Sequence, residues 1–209
     1  MIMKLFLSLF SIGLLVACTQ TTITDGGSFI DPGWNGVSTN SMVVEVQDAP
    51  LSEQRAIESS TVAILREAGL RAEASYAFFP PTRTFSPAQK QERLRGSGYE
   101  TLLVIRPYDR DIISHYSPPA TRPFGGASYG SGGWGGVGFG VNFDRGYTTE
   151  EAIIRYHSDL YVIKDNHKIW TGDYATRGGD GMSFDTVGKR FGKELVTKLQ
   201  KDGMIYSAP

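Results

Sequence analysis

Four consecutive apolar residues, Leu102-Leu103-Val104-Ile105, constrain this chain more than any other segment. A strand apolar on both faces belongs in the middle of a sheet. Met42, Val44 and Val46 alternate with Val43, Glu45 and Gln47, which predicts an earlier strand beginning at Ser41. Between the two, Ile57, Thr61, Ile64, Leu65 and Ala68 form one stripe of a helix over Ser52–Gly69, with Gly69 as its stop. Arg71 to Phe79 reads as a second strand, ended by Pro80-Pro81. Ser86-Pro87-Ala88-Gln89 is a helix start, with a serine cap, proline at the first position and glutamine at the third. That helix runs to about Arg95. The central strand continues from Thr101 towards Ser114, before Pro118-Pro119. Glu151 to Lys164 alternates, and Asp165-Asn166 turns it into His167–Thr176 as a β-hairpin. Val187, Phe191, Leu195 and Leu199 then mark a helix over Ser183–Asp202, capped by Gly203.

The order β-α-β-α-β, a Gly-rich insertion, a hairpin and a last helix predicts an α+β fold. Its mixed β-sheet has neighbours among the first three strands parallel and the helices packed on one face. One domain over residues 41–209 accommodates all of it, with residues 117–149 as a Gly- and aromatic-rich loop. A chain of this size buries roughly 70% of its unfolded surface, so neither metal nor disulfide is needed for stability.

Ahead of this domain stands a different kind of segment. Lys4 gives a positive start, and Leu5 to Ala17 form an apolar run of 13 residues, which fits a secretory leader and is short for a bilayer span. Leu15-Val16-Ala17-Cys18 follows, and Cys18 is the only cysteine. One reading is a chance cysteine after an ordinary cleavage site. The other is that the tetrapeptide resembles the lipobox of bacterial lipoproteins. That resemblance implies a signal peptide over residues 1–17 and Cys18 as a triacylated N-terminus. Two or more chains make a lasting anchor where one is marginal. Thr19 follows where an aspartate would resemble the inner-membrane retention signal, so the resemblance implies the periplasmic face of an outer membrane. Thr19 to Asn40 is rich in Thr, Gly, Ser, Asp and Asn without a period, and reads with Cys18 as a flexible tether over 18–40. Fully extended, it spans roughly 70–80 Å. Lysine and arginine number 21 against 22 acidic residues. With no basic excess and no charge run, nucleic acid is excluded as a partner.

Several segments resemble a group of uncharacterised bacterial lipoproteins. They are Met42-Val43-Val44-Glu45-Val46-Gln47-Asp48, Gly69-Leu70-Arg71-Ala72-Glu73-Ala74-Ser75-Tyr76 and Gly98-Tyr99-Glu100-Thr101-Leu102-Leu103-Val104-Ile105-Arg106. To these is added the hairpin Leu160-Tyr161-Val162-Ile163-Lys164-Asp165-Asn166-His167-Lys168-Ile169-Trp170-Thr171-Gly172, in which Asn166-His167 replaces the family's turn glycine. More distantly the layout is similar to the α+β domains of peptidoglycan-synthase activators and of the TolB N-terminal domain. The resemblance implies a binding module, with no enzymatic residues to carry over.

The chemical motifs are sparse. Gly126-Ala127-Ser128-Tyr129-Gly130 matches G-x-S-x-G, the nucleophile elbow of hydrolases, which requires a strand before the serine and a helix after it. No helix can begin at Ser131-Gly132-Gly133. The same run lacks the Gly-Lys-Ser/Thr ending of a phosphate loop. Phe124, Tyr129, Trp134, Phe139 and Phe143, set among glycines, read either as a loosely packed excursion or as a partner-binding loop in which aromatics supply contact area. His157 and His167 could meet across the hairpin near Asp159 and Asp173, yet no HxH or HExxH spacing is present, and solvent-facing strand positions explain them more simply. Gly178-Gly179-Asp180-Gly181 reads as a turn into the last helix. Trp170 beside Gly172 reads as a ring packed over bare backbone.

The expectation is a non-enzymatic, lipid-anchored periplasmic protein without cofactor or metal. It would be held to the membrane through Cys18 and bind an envelope protein or peptidoglycan-associated partner. The rivals are a structural envelope lipoprotein without a specific partner, and a cell-wall or lipid hydrolase acting through Ser128.

Overall fold

The computed structural model describes residues 22–117, 121–128, 136–143, 147–179 and 183–206. Strands β1 (Thr22–Ile30), β2 (Ser41–Val46), β3 (Arg71–Ala74), β4 (Thr101–Ser117), β7 (Tyr147–Val162) and β8 (His167–Gly179) form one mixed sheet in the order β1-β8-β7-β4-β2-β3. A separate two-stranded sheet pairs β5 (Thr121–Ser128) with β6 (Gly136–Phe143). The helices are α1 (Leu51–Glu67), α2 (Pro87–Gly96) and α3 (Phe184–Lys201). The α+β class and the mixed sheet match the sequence expectation.

Why the sheet centres where it does follows from β2. All six of its residues are buried. It pairs parallel with β3 on one side and β4 on the other. Met42, Val44 and Val46 join the larger core beneath α1 and α3, which also holds Leu103, Ile105, Tyr156, Leu160, Phe191 and Leu195. Val43, one residue out of phase, faces the other way with Phe79, Leu94 and Ile163. Leu94 belongs to α2, so α2 lies on the face opposite α1 and α3. The expectation of all helices on one face therefore holds for two of the three. An apolar β2 on both sides demands a cover on both.

α3 sits close against α1 because Gly188 and Gly192 face it. A Cβ at Gly188 would stand 2.9 Å from the Ser60 Cβ and 3.0 Å from the Ile57 Cα. The start of α2 is the expected one: Ser86 accepts from the Gln89 backbone N–H while the Gln89 side chain accepts from that of Ser86.

Three boundaries differ from expectation. Residues 22–40 are not tether. β1 runs antiparallel to β8 from Thr22 to Ile30, Asp31 N donates to Ile169 O at 2.9 Å, and Thr39 is buried beside the chain end. Both faces of β1 are largely exposed, and a bulge at Asp25/Gly27 breaks its phase, so no alternation marks it. The strand after α1 is four residues long, and Ser75–Ala77 continues as a 3₁₀ turn rather than as strand to Phe79. Within residues 117–149, β4 and β7 extend as a paired ribbon out to Ser117 opposite Tyr147, and β5–β6 form a hairpin where a loop was expected.

Candidate functional site

Two consecutive connections leave the sheet in opposite directions. The chain exits β2 to α1 on one face and exits β3 to α2 on the other. Crevices outside the carboxyl ends of parallel strands at such a divergence are where open α/β sheets bind ligands. Here the crevice measures about 460 Å³ and is lined by Glu45, Gln47 and Asp48 from the end of β2, Gln54 from α1, and Phe79, Arg83, Phe85 and Lys90 from the β3–α2 side.

Its walls are ordered by charge and ring contacts. Lys90 Nζ meets Glu45 Oε1 at 2.8 Å, and Glu45 is buried. Arg106 Nε donates to Gln47 Oε1 at 3.1 Å. The Phe79 and Phe85 rings meet edge-on at 5.6 Å, with Lys90 over the first and the Arg93 guanidinium over the second at 4.6 Å. Asp48 takes a left-handed backbone, φ 58°, which aspartate tolerates better than most residues. Its carboxylate and the Arg83 guanidinium make no side-chain bond among the described residues, so the crevice keeps one free anion and one free cation at its mouth.

Beneath the floor lies Glu58 of α1, 2% exposed. Its Oε1 accepts from Val46 N at 2.8 Å and from Ser75 Oγ at 3.0 Å, tying the ends of β2 and β3 together. Burial pushes this carboxyl up to about 6, and the nearby Glu45 charge adds to that, against the lowering effect of its hydrogen bonds. A second acid of α1, Glu53, is fully buried between Arg110 (2.6 Å) and the Tyr156 hydroxyl (3.2 Å). Sequence reasoning missed both glutamates. The signal was there, since Glu53 stands four residues before Ile57 and Glu58 three before Thr61, on the helix face that the core claims.

The other expected sites fall out as follows. Cys18, the leader, Tyr129 and Trp134 lie outside the described residues, as do Asp180 and Gly181. Phe124 stands opposite Gly140, Phe139 opposite Gly125 and Phe143 opposite Thr121 in the β5–β6 ladder. Ser128 closes the same ladder opposite Gly136, so Gly126-Ala127-Ser128 is paired hairpin strand and not the strand-to-helix turn of a nucleophile elbow. On the β4-β7-β8 face opposite α1, His157 Nδ1 contacts Asp173 Oδ1 at 2.6 Å, and its Nε2 lies 3.1 Å from Thr171 Oγ1 and 3.2 Å from Asp159 Oδ1. Burial raises the Asp159 carboxyl, but hydrogen bonding from Thr171 and the charges of His157 and Lys168 outweigh it and hold the group below its ordinary range. Arg106 completes the network at 3.0 Å. His167 pairs with Asp31, not with His157. No group of three His, Cys, Asp or Glu among the described residues could hold a metal. Trp170 lies over bare backbone as expected: a Cβ at Gly172 would be 2.5 Å from its ring, whose Nε1 donates to Asp202 at 2.8 Å.

No family model matches the chain, and no curated protein does. Among solved structures, the PelC dodecamer from Paraburkholderia phytofirmans is similar at 11% identity over 90% of this chain and 100% of that one, with a TM-score of 0.46. Lipoprotein GNA1162 from Neisseria meningitidis is similar at 14% identity over 77% of this chain and 98% of that one, with a TM-score of 0.42. Likenesses at this level assign neither an activity nor a partner to this chain.

Proposed function

We propose that the protein is a lipid-anchored, non-enzymatic binding module of the bacterial cell envelope. It is held at the periplasmic face of the outer membrane through Cys18 and takes up an envelope protein or peptidoglycan-associated partner in the crevice between the ends of β2 and β3. The observation that carries the binding reading is the crevice itself, about 460 Å³, within the range of ligand pockets and placed where the two connections diverge. Its chemistry suits a segment with apolar and polar groups together: two phenyl rings, the Gln47 and Gln54 amides, and the free Asp48 and Arg83 charges. The anchoring reading rests on Cys18; no helix of the described residues is long and apolar enough to cross a membrane. The paired-strand setting of Ser128 weighs against the hydrolase rival.

The test is a photo-crosslinking amino acid placed at Thr84, which lines the crevice, and at Ser59 on the exposed side of α1 as control. In intact cells, a discrete envelope adduct at Thr84 and none at Ser59 supports binding. Equal or absent adducts at both positions remove it and leave the structural-lipoprotein rival. Palmitate incorporation that vanishes with Cys18→Ala tests the anchor separately.

A further inference from the structure

The length of chain between Cys18 and the fold fixes which end of the domain meets the membrane. β1 begins at Thr22, so four Cα–Cα steps separate it from Cys18, roughly 14 Å at full extension whatever path they take. Thr22 stands opposite Arg177, Arg177 opposite Ile153, and Ile153 opposite Asp111. The ladder does not stop at that level. β4 and β7 stay paired out to Ser117 and Tyr147, and six further residues carry the ribbon roughly 20 Å beyond Thr22. An upright ribbon thus overreaches a fully stretched connection by about 6 Å. Held that close, the ribbon has the headgroup layer within its reach, whether it stands upright or tilts towards the surface.

The side chains of this stretch suit that position. Ile112 is 71% exposed and Tyr116 66% exposed. They sit four residues apart on one face of the ribbon, opposite Ala152 and Thr148. Ile113, opposite Glu151, is exposed on the other face, and Tyr108 is exposed at the bulge nearer the domain. Asp111 and Glu151 occupy the other face by register, leaving Glu150, opposite Ser114, as the acidic position on the Ile112 face. Exposed apolar clusters of this kind mark contact surfaces, and tyrosine suits the headgroup level with its apolar ring and polar tip.

We propose that the outer half of the β4–β7 ribbon docks on the lipid surface to which Cys18 is anchored, with Ile112 and Tyr116 seated among the headgroups. The proposal rests on the reading of Cys18 as acylated. The occupant is lipid because a connection of roughly 14 Å holds this end of the sheet close to the surface that carries the acyl chains.

The test uses the acylated mature chain. With Cys18 modified, Ile112→Cys introduces the only free thiol, since the chain has a single cysteine. An environment-sensitive fluorophore is attached there and, in a second protein, at Phe29→Cys, which replaces a side chain 62% exposed at the opposite end of β1. On phosphatidylethanolamine/phosphatidylglycerol vesicles carrying a nitroxide lipid, the label at 112 is quenched severalfold and the label at 29 is not. Tyr116→Cys reads the same surface should the first variant fold poorly. A label at 112 as aqueous as that at 29, with acylation confirmed by the mass of the N-terminal peptide, overturns the docking and leaves the lipoprotein reading standing. An N-terminal peptide without acyl chains overturns both.

Discussion

Glu58→Gln isolates what the buried acid under the crevice costs. The folded carboxyl titrates at about 6 against an ordinary 4.5. The native state therefore binds more protons than the unfolded chain between those values. Stability from this group is full below about pH 4.5 and is lost as pH rises through about 6. The difference of roughly 1.5 units corresponds to about 2 kcal/mol. Glutamine has nearly the same volume and carries no charge at any pH. Its altered hydrogen bonding to Val46 and Ser75 shifts stability by a constant, which cancels when the two proteins are compared across pH. The assay is urea unfolding of both proteins at steps from about pH 4 to 7.5. The gap between them should move by about 2 kcal/mol in favour of the variant, or about 1 M in midpoint at ordinary slopes. Asp25 and Asp185, whose carboxyls their lysine partners hold low, lose their contributions as pH falls below their ordinary range, and this slope is common to both proteins. A gap that stays flat, or widens in favour of the wild type as pH rises, refutes the assignment of a neutral-leaning acid to this floor.

Gly172→Ala should destabilise by about 3 kcal/mol, because the new methyl falls on an indole held by Asp202; a melting temperature within a degree of wild type would contradict the packing. Gly188→Val should cost about 2–3 kcal/mol in chemical denaturation by prising α3 from α1, despite valine's better helix propensity than glycine's. Arg110→Ala should cost about 3 kcal/mol by stranding the Glu53 carboxylate, and adding Glu53→Gln should recover part of it; additive losses would show that the pair is not coupled.

What could be read from the residues was whatever is buried with a regular period. β2, the base of β4, α1, α3 and the β7–β8 hairpin all carry apolar side chains at the spacing their geometry requires, and each formed close to its expected position. β1 was illegible because an edge strand exposed on both faces has nothing to alternate, and Gly26-Gly27 spends a residue on a bulge. The placement of α2 is legible in part: Val43 gives β2 an apolar residue on its second face, which calls for a second cover, and Leu94 of α2 supplies it. The crevice was hidden for a different reason. It arises from where two connections diverge, a property of topology, and its residues are distributed over β2, α1 and the loop before α2.

The crevice and the ribbon share one end of the molecule. β2 runs parallel to β4, so its carboxyl end points along the ribbon. Val46 is level with Ile105, which is opposite Ser158, then Gly172, then Ser28 on β1. Six residues of β1 separate Ser28 from Thr22, roughly 20 Å. With Cys18 acylated, a connection of roughly 14 Å holds the crevice mouth within about 35 Å of the lipid, opening towards it. A tether of the length first expected would have let the domain turn freely, with any partner met from any side. Were Cys18 acylated, the short one would confine the crevice to a layer next to the bilayer, where a membrane-attached partner would be presented at high effective concentration and a weak contact would suffice. A site with two rings, two amides and one free charge of each sign has modest affinity in its own contacts, and confinement at the surface is what would make such a site sufficient.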